Sequence, residues 1–178
     1  MLANIYLNEF DREFLKRGVP CIRYADDIVL LAKSRKVSER LLESSTRYLE
    51  EKLKELSSRK CCQSIKPSLE RIKVYARGWL NYYGIASMKS NMNDINGWLY
   101  HRIRMCVWKQ WKCVRTRYRN LRVMGVPQDL GWKTANSRRG YWFTTHTVVI
   151  NMAMTKERLI NSGLYDLATA YQSVHINY

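Results

Sequence analysis

The sequence predicts an α+β fold that is mostly α, in which one β-hairpin precedes a long helical region. Short apolar and β-branched runs on either side of Asp26 and Asp27 predict two strands that meet at a turn. From residue 34 onward, apolar residues recur at three- and four-residue spacing, as on the buried face of amphipathic helices. The chain has 178 residues, of which 46% are apolar, and this is enough for a core.

The paired acids suggest a metal site. Neighbouring side chains on a strand point to opposite faces, so a turn is needed to bring both carboxylates to one ion. Two acids on a hairpin suit Mg²⁺, which takes a few carboxylates together with phosphate oxygens. The alternative is an ordinary turn, in which Asp is common.

The charge points to a polyanionic partner. Thirty-one lysines and arginines oppose fifteen acids, for a net charge of +16, which indicates nucleic acid or an acidic membrane surface. We predict no membrane association and a cytoplasmic protein of bacterial type, because the sequence shows neither a long apolar run nor a signal peptide. Residues 59–122 hold fifteen basic residues against Glu70 and Asp94. Like charges repel on helices that lack acids, so phosphate binding is favoured over a merely solvated face.

The predicted elements follow in order. A helix over 1–17 ends at Gly18-Val19-Pro20, and the hairpin follows it. Ser34 is a plausible N-cap for a helix that reaches Leu56. A basic helix runs from about residue 65 to Gly84, and a longer one carries Ile95, Leu99 and Ile103. Residues 118–126 form a linker, Pro127 opens a short helix, and Gly163 interrupts the helical tail.

The five cysteines follow no disulfide or zinc spacing. Their odd number fits a reducing compartment, and Cys61-Cys62 is not a zinc pattern. His101, Cys106 and Cys113 lack an accompanying Cys-x-x-Cys knuckle, so ordinary thiols are favoured over a metal site.

Two stretches resemble a known family. Leu2-Ala3-Asn4-Ile5-Tyr6-Leu7 followed by Arg23-Tyr24-Ala25-Asp26-Asp27 resembles the palm of reverse transcriptases encoded by group II introns. Arg77-Gly78-Trp79-Leu80-Asn81-Tyr82-Tyr83-Gly84 resembles the start of their maturase-specific region, called domain X. Residues 95–104 and Asn136-Ser137-Arg138-Arg139-Gly140-Tyr141-Trp142 extend that likeness.

The resemblance implies three segments. Residues 1–56 would be a palm remnant, 57–64 a junction, and 65–178 an all-helical, RNA-binding domain X. The family's fingers and first metal-binding Asp have no counterpart before Met1, and its remaining palm strands and thumb have none after Leu56. The chain therefore looks like two remnants joined across a deletion.

The resemblance also implies a function. We expect a fragment that binds group II intron RNA and assists its folding and splicing, without autonomous polymerase activity. The alternative is a fragment of an RNA-directed DNA polymerase, a mobile-element enzyme, that completes its active site with another chain. A DNA target, a homodimer and a separate polymerase portion stay open as partners, as does a general basic nucleic-acid-binding module.

The expected site residues fall into two groups. Asp26 and Asp27 would be catalytic and would bind Mg²⁺. Tyr141 and Trp142 could stack on bases or could instead belong to the core. The expected nucleic-acid-binding residues are Arg77, Arg102, Arg104, Lys109, Lys112, Arg115, Arg138 and Arg139.

Overall fold

A computed structural model describes residues 12, 15–16, 21–24, 27–30, 34–58, 64–84 and 87–176. Two strands, β1 (Cys21–Tyr24) and β2 (Asp27–Leu30), pair antiparallel, with Tyr24 opposite Asp27. None of the described helices is long and apolar enough to cross a membrane. In chain order these helices are α1 (Arg35–Leu56), α2 (Lys66–Tyr83), α3 (Lys89–Gln110), α4 (Val114–Val123), α5 (Gln128–Ala135), α6 (Tyr141–Thr145), α7 (Val148–Ala153), α8 (Lys156–Asn161) and α9 (Leu167–Ile176).

The predicted α+β class is wrong, because the body of the fold is built from helices alone. β1 and β2 have four residues each and, among the described residues, pair only with each other. Two such strands are too small to form a β layer on which helices could pack. The described residues therefore form no β layer of a palm. The helix predicted over residues 1–17 lies largely outside the described residues.

Helix α1 begins as its sequence predicts. The Ser34 hydroxyl accepts a hydrogen bond from the Val37 backbone N–H at 3.4 Å, which satisfies one of the free donors at the helix start. Leu49 and Leu53 are fully buried on one face, and ion pairs such as Arg35–Glu39 lie on the exposed face. Exposed pairs of this kind contribute little stability, and the charged face is solvated as predicted.

The first core joins α1, α2 and α3, with residues of α8 and α9 closing it. Leu49 and Leu53 of α1 pack in the same cluster as Trp79 of α2 and Leu99 of α3. Helix α1 therefore shares one core with the two helices that follow it. Helix α1 folds together with the region that follows it, because α2 and α3 cover its apolar face.

A second core forms where the C-terminal part of α3 meets the later helices. Trp108 of α3 packs with Leu121 of α4 and with Ile150 and Ala153 of α7. Because Leu99 and Ile103 lie in the first core and Trp108 in the second, α3 runs through both. This central position decides which of its basic side chains reach solvent.

Gly84, at the C-terminal end of α2, lies against α9. A Cβ added at Gly84 would lie 2.5 Å from the Leu80 carbonyl oxygen and 2.8 Å from Val174 of α9. Gly84 has a φ of −62°, so the missing side chain, rather than a left-handed conformation, explains the glycine. We expect Gly84→Ala to destabilise the protein by about 1–3 kcal/mol, because neither backbone nor α9 can move away freely. Urea unfolding followed by circular dichroism measures this.

Gly97 provides the matched control. It lies within α3, and a Cβ there would meet nothing within 4 Å. Gly97→Ala should stabilise the protein by about 0.5–1 kcal/mol, because alanine restricts the unfolded chain and favours helix. Equal effects of the two substitutions would show that the close approach at Gly84 does not constrain the fold.

Candidate nucleic-acid interface

Four exposed cations lie at the corner where α3 passes into α4. We call this set, Lys109, Lys112, Arg115 and Arg119, the basic ridge. No acid occurs in the sequence between Asp94 and Asp129, and within the described residues none of the four ridge cations makes an ion pair. Their mutual repulsion is thus not compensated by the protein, and a bound polyanion would relieve it.

Arg119 is a ridge residue that the sequence-based selection missed. It follows Arg115 by four residues, so both side chains lie on the same exposed face of α4. Leu121 is fully buried on the opposite face, against the second core. Its i,i+4 spacing from Arg115, on the face of the helix opposite the apolar Leu121, was the signal that could have identified Arg119.

Arg117 is partly buried and fixes the corner. Its Nε donates a hydrogen bond to the Trp111 carbonyl at 2.8 Å, and this ties α4 back to the end of α3. Its guanidinium lies 5.0 Å from the ring centre of Trp108 and 5.8 Å from that of Tyr141. Cation–π contacts of this kind hold the start of α6 beside the ridge.

Two predicted RNA-binding arginines have structural roles. Arg104 is only 7% exposed, and its Nε donates to the Met154 carbonyl at 2.9 Å. Burial lowers the pKa of its guanidinium. Arg102 donates from Nε to the Ser57 hydroxyl at 2.9 Å and from Nη2 to the Lys54 carbonyl at 3.1 Å. It thereby satisfies the Lys54 carbonyl at the C-terminal end of α1, where a positive charge is favourable.

The other predicted basic residues are exposed. Arg138 and Arg139 lie just before α6, and the Arg139 guanidinium lies 4.6 Å from the ring centre of Phe143. Tyr141 and Trp142 are also exposed, so the alternative that both belong to the core is wrong. Arg77 is exposed on α2, and its charge opposes the rise that burial causes in the pKa of Tyr165. Arg77 lies on α2 and so is not part of the ridge, which lies on α3 and α4.

A groove of about 660 Å³ opens between α1, α3 and α6. Its apolar lining comes from Ile95, Trp98, Met105 and Trp142. Three acids and three cations surround this lining, so the groove is close to neutral within a strongly basic protein. The charged residues are Arg47, Glu50, Glu51, Lys54, Asp94 and Arg102.

Three rings hold α6 against α3. The imidazoles of His101 and His146 stack with their centres 3.9 Å apart, and Trp142 contacts His146 edge-on at 5.1 Å. Burial, followed by the charges of His146 and Arg104, lowers the pKa of His101. Just below pH 6.5, the ordinary pKa of about this value means that His101 is protonated in the unfolded chain but still neutral in the folded protein.

Stability should consequently depend on pH. The contribution of neutral His101 is fully present above about pH 6.5 and is lost as the pH falls toward its lowered folded pKa. We expect urea midpoints to decrease between about pH 6.5 and 5, and His101→Gln to flatten this decrease. A variant with the same pH dependence as the unchanged protein would contradict this assignment.

The predicted metal site is not described. Asp26 lies outside the described residues, and for Asp27 the structure describes only the backbone that pairs with Tyr24. Over the described ranges, no group of three His, Cys, Asp or Glu side chains could hold a metal ion. Cys106 is buried, with its thiol 3.5 Å from the Ser57 carbonyl oxygen, and Cys113 is exposed. Binding of Mg²⁺ by the two aspartates stays a prediction.

The fold and this surface define a helical domain with an exposed basic ridge. Residues 46–125 match the family described as "Group II intron, maturase-specific domain". The match begins within α1 and extends just beyond α4, so it includes every residue of the ridge. The match shows that this part of the chain is similar to the maturase-specific domain of group II intron proteins. A comparison with curated proteins found no match.

Proposed function

We propose that this chain binds group II intron RNA through the basic ridge, together with Arg138 and Arg139, and assists the folding of that RNA for splicing. The observation that carries this proposal is the set of four exposed, acid-free cations within the family-matched residues. Each cation that neutralises a phosphate releases a condensed counterion, which favours binding. The splicing chemistry itself would belong to the RNA.

The contacts of Arg117 at the corner between α3 and α4 suggest how the RNA would be oriented. Arg117 links α4 to Tyr141, so the ridge and the segment before α6 lie on neighbouring elements. A phosphate backbone along the ridge would thus bring nearby nucleotides to the neighbouring Arg139 guanidinium and Phe143 ring, both of which can contact a base. Structured RNA, with backbone and unpaired bases close together, suits this arrangement better than a uniform DNA duplex.

The test is a salt titration of binding by the full chain. The ligands are a group II intron RNA, an unrelated structured RNA of equal length and a DNA duplex. Arg115→Gln should reduce the slope of log affinity against log salt by about one unit, because it removes one phosphate contact. Arg40→Gln removes an exposed charge on α1 and is the matched control.

Three outcomes bear on the proposal. A lower slope for Arg115→Gln alone, with tightest binding to the intron RNA, supports it. Equal affinity for all three nucleic acids would indicate a general basic module instead of a maturase. Equal slopes for the two variants would remove the ridge from the interface.

A further inference from the structure

The groove between α1, α3 and α6 is a poor site for phosphate. It contains Asp94, one of only two acids among residues 59–122, and Glu50 from α1. Glu51 pairs with Arg47 at 3.5 Å, whereas among the described residues neither Glu50 nor Asp94 makes an ion pair. Because the three acids and three cations of the groove nearly cancel, it offers a phosphate no net attraction, whereas Glu50 and Asp94 can accept hydrogen bonds from a neutral ligand.

The lining adds a flat apolar surface. Trp142 is 41% exposed beside the groove, while Ile95 and Met105 are buried beneath it. Arg102 lies over the Trp98 ring, with 5.6 Å between the guanidinium carbon and the ring centre, and its bonds to α1 hold it there. Every nucleobase has an apolar face that stacks on such rings. The volume lies within the range of about 300–1,000 Å³ that ligand sites occupy.

We propose that this groove binds one unpaired nucleobase of the RNA, with guanine preferred, stacked on Trp142 and donating its edge to Asp94 or Glu50. The inference rests on the proposed RNA binding and names the feature of the RNA that the groove recognises. Guanine presents an amino group next to a ring N–H, so its two donors match the two oxygens of one carboxylate. Uracil has no amino group and should bind least well.

A protein segment could occupy the groove instead of a base, but the charges around the groove disfavour it. A basic peptide would suit the acids, but Arg47, Lys54 and Arg102 surround the same lining and would repel it. An RNA base carries no charge, so neither the acids nor the cations of the groove repel it. Arg138 and Arg139 precede α6, which supplies Trp142, and they are available for the phosphates that flank the base.

The test uses an RNA hairpin with a single-nucleotide bulge, made with guanine, adenine, cytosine, uracil or an abasic position. The 178-residue chain should bind the guanine bulge about tenfold more tightly than the abasic one, because stacking is lost without the base. Trp142→Ala should remove this difference. Trp132→Ala is the control, since Trp132 is 56% exposed but does not line the groove.

Asp94→Asn tests recognition of the base edge separately from stacking. It also keeps the proposal testable if the Trp142 variant does not fold. Asp94 is exposed on α3, and the change should reduce the guanine-over-uracil preference while keeping the preference over the abasic RNA. The proposal is overturned if wild type binds the guanine and abasic RNAs equally. It is also overturned if Trp142→Ala retains the difference. A third contradicting result would be that a peptide containing Arg and Trp binds in the groove without changing the affinities for the bulged RNAs.

The salt slope distinguishes this inference from the proposed function. If binding stays salt-dependent but does not respond to the bulge, only the groove assignment fails. If the protein binds none of the RNAs, the RNA-binding function itself fails.

Discussion

Changing all four ridge cations to glutamine in one variant should reduce the affinity for group II intron RNA by about two to three orders of magnitude near 0.1 M salt. The variant carries Gln in place of Lys109, Lys112, Arg115 and Arg119, all of which are exposed. The salt slope should decrease by up to about four units, because each lost phosphate contact removes about one released counterion. Filter binding or fluorescence anisotropy across a salt series measures both quantities.

A second variant of equal net charge controls for the total charge. It replaces four exposed cations that are not part of the ridge, Arg12, Lys16, Lys36 and Arg40, with glutamine. Both variants have a formal charge four units below +16. If both lose the same affinity, RNA responds to the protein's overall charge, and the ridge is not the binding surface.

Arg104 should affect stability instead of binding. Arg104→Ala should destabilise the protein by about 2–4 kcal/mol, because it removes buried packing and leaves the Met154 carbonyl without the donor that lies 2.9 Å away. The side chain lies between the two cores, since Ile103 packs in the first and Met154 in the second. Urea unfolding of the variant and of wild type measures the loss.

The salt slope gives the second measurement for Arg104. At a temperature where the variant is folded, its slope for intron RNA should equal that of wild type, because its charge is not at the surface. Arg115→Ala should behave in the opposite way, with stability within about 0.5 kcal/mol of wild type and a slope lower by about one unit. A reduced slope for Arg104→Ala would falsify the structural role assigned to it.

The sequence by itself determined the local features of this protein. Apolar spacing predicted α1 to α3, and Ser34 was identified as the N-cap because a short hydroxyl side chain precedes an apolar helical pattern. The distribution of charge identified residues 59–122 as basic, and the motif near Gly78 identified the region that matches the maturase-specific domain. These features depend on residues close together in the chain, so they can be recognised without a fold.

Only the tertiary structure decided which cations face solvent and which class of fold results. Periodicity places side chains on one face of a helix but does not show how many neighbours cover that helix. α3 is covered from several sides, so Arg102 meets the end of α1 and Arg104 meets Met154, while Lys109 remains exposed. The groove arises from three helices that are distant in sequence. The predicted α+β class failed for the same reason, because a β layer requires strand partners from elsewhere in the chain, and the described residues supply only helices around the two cores.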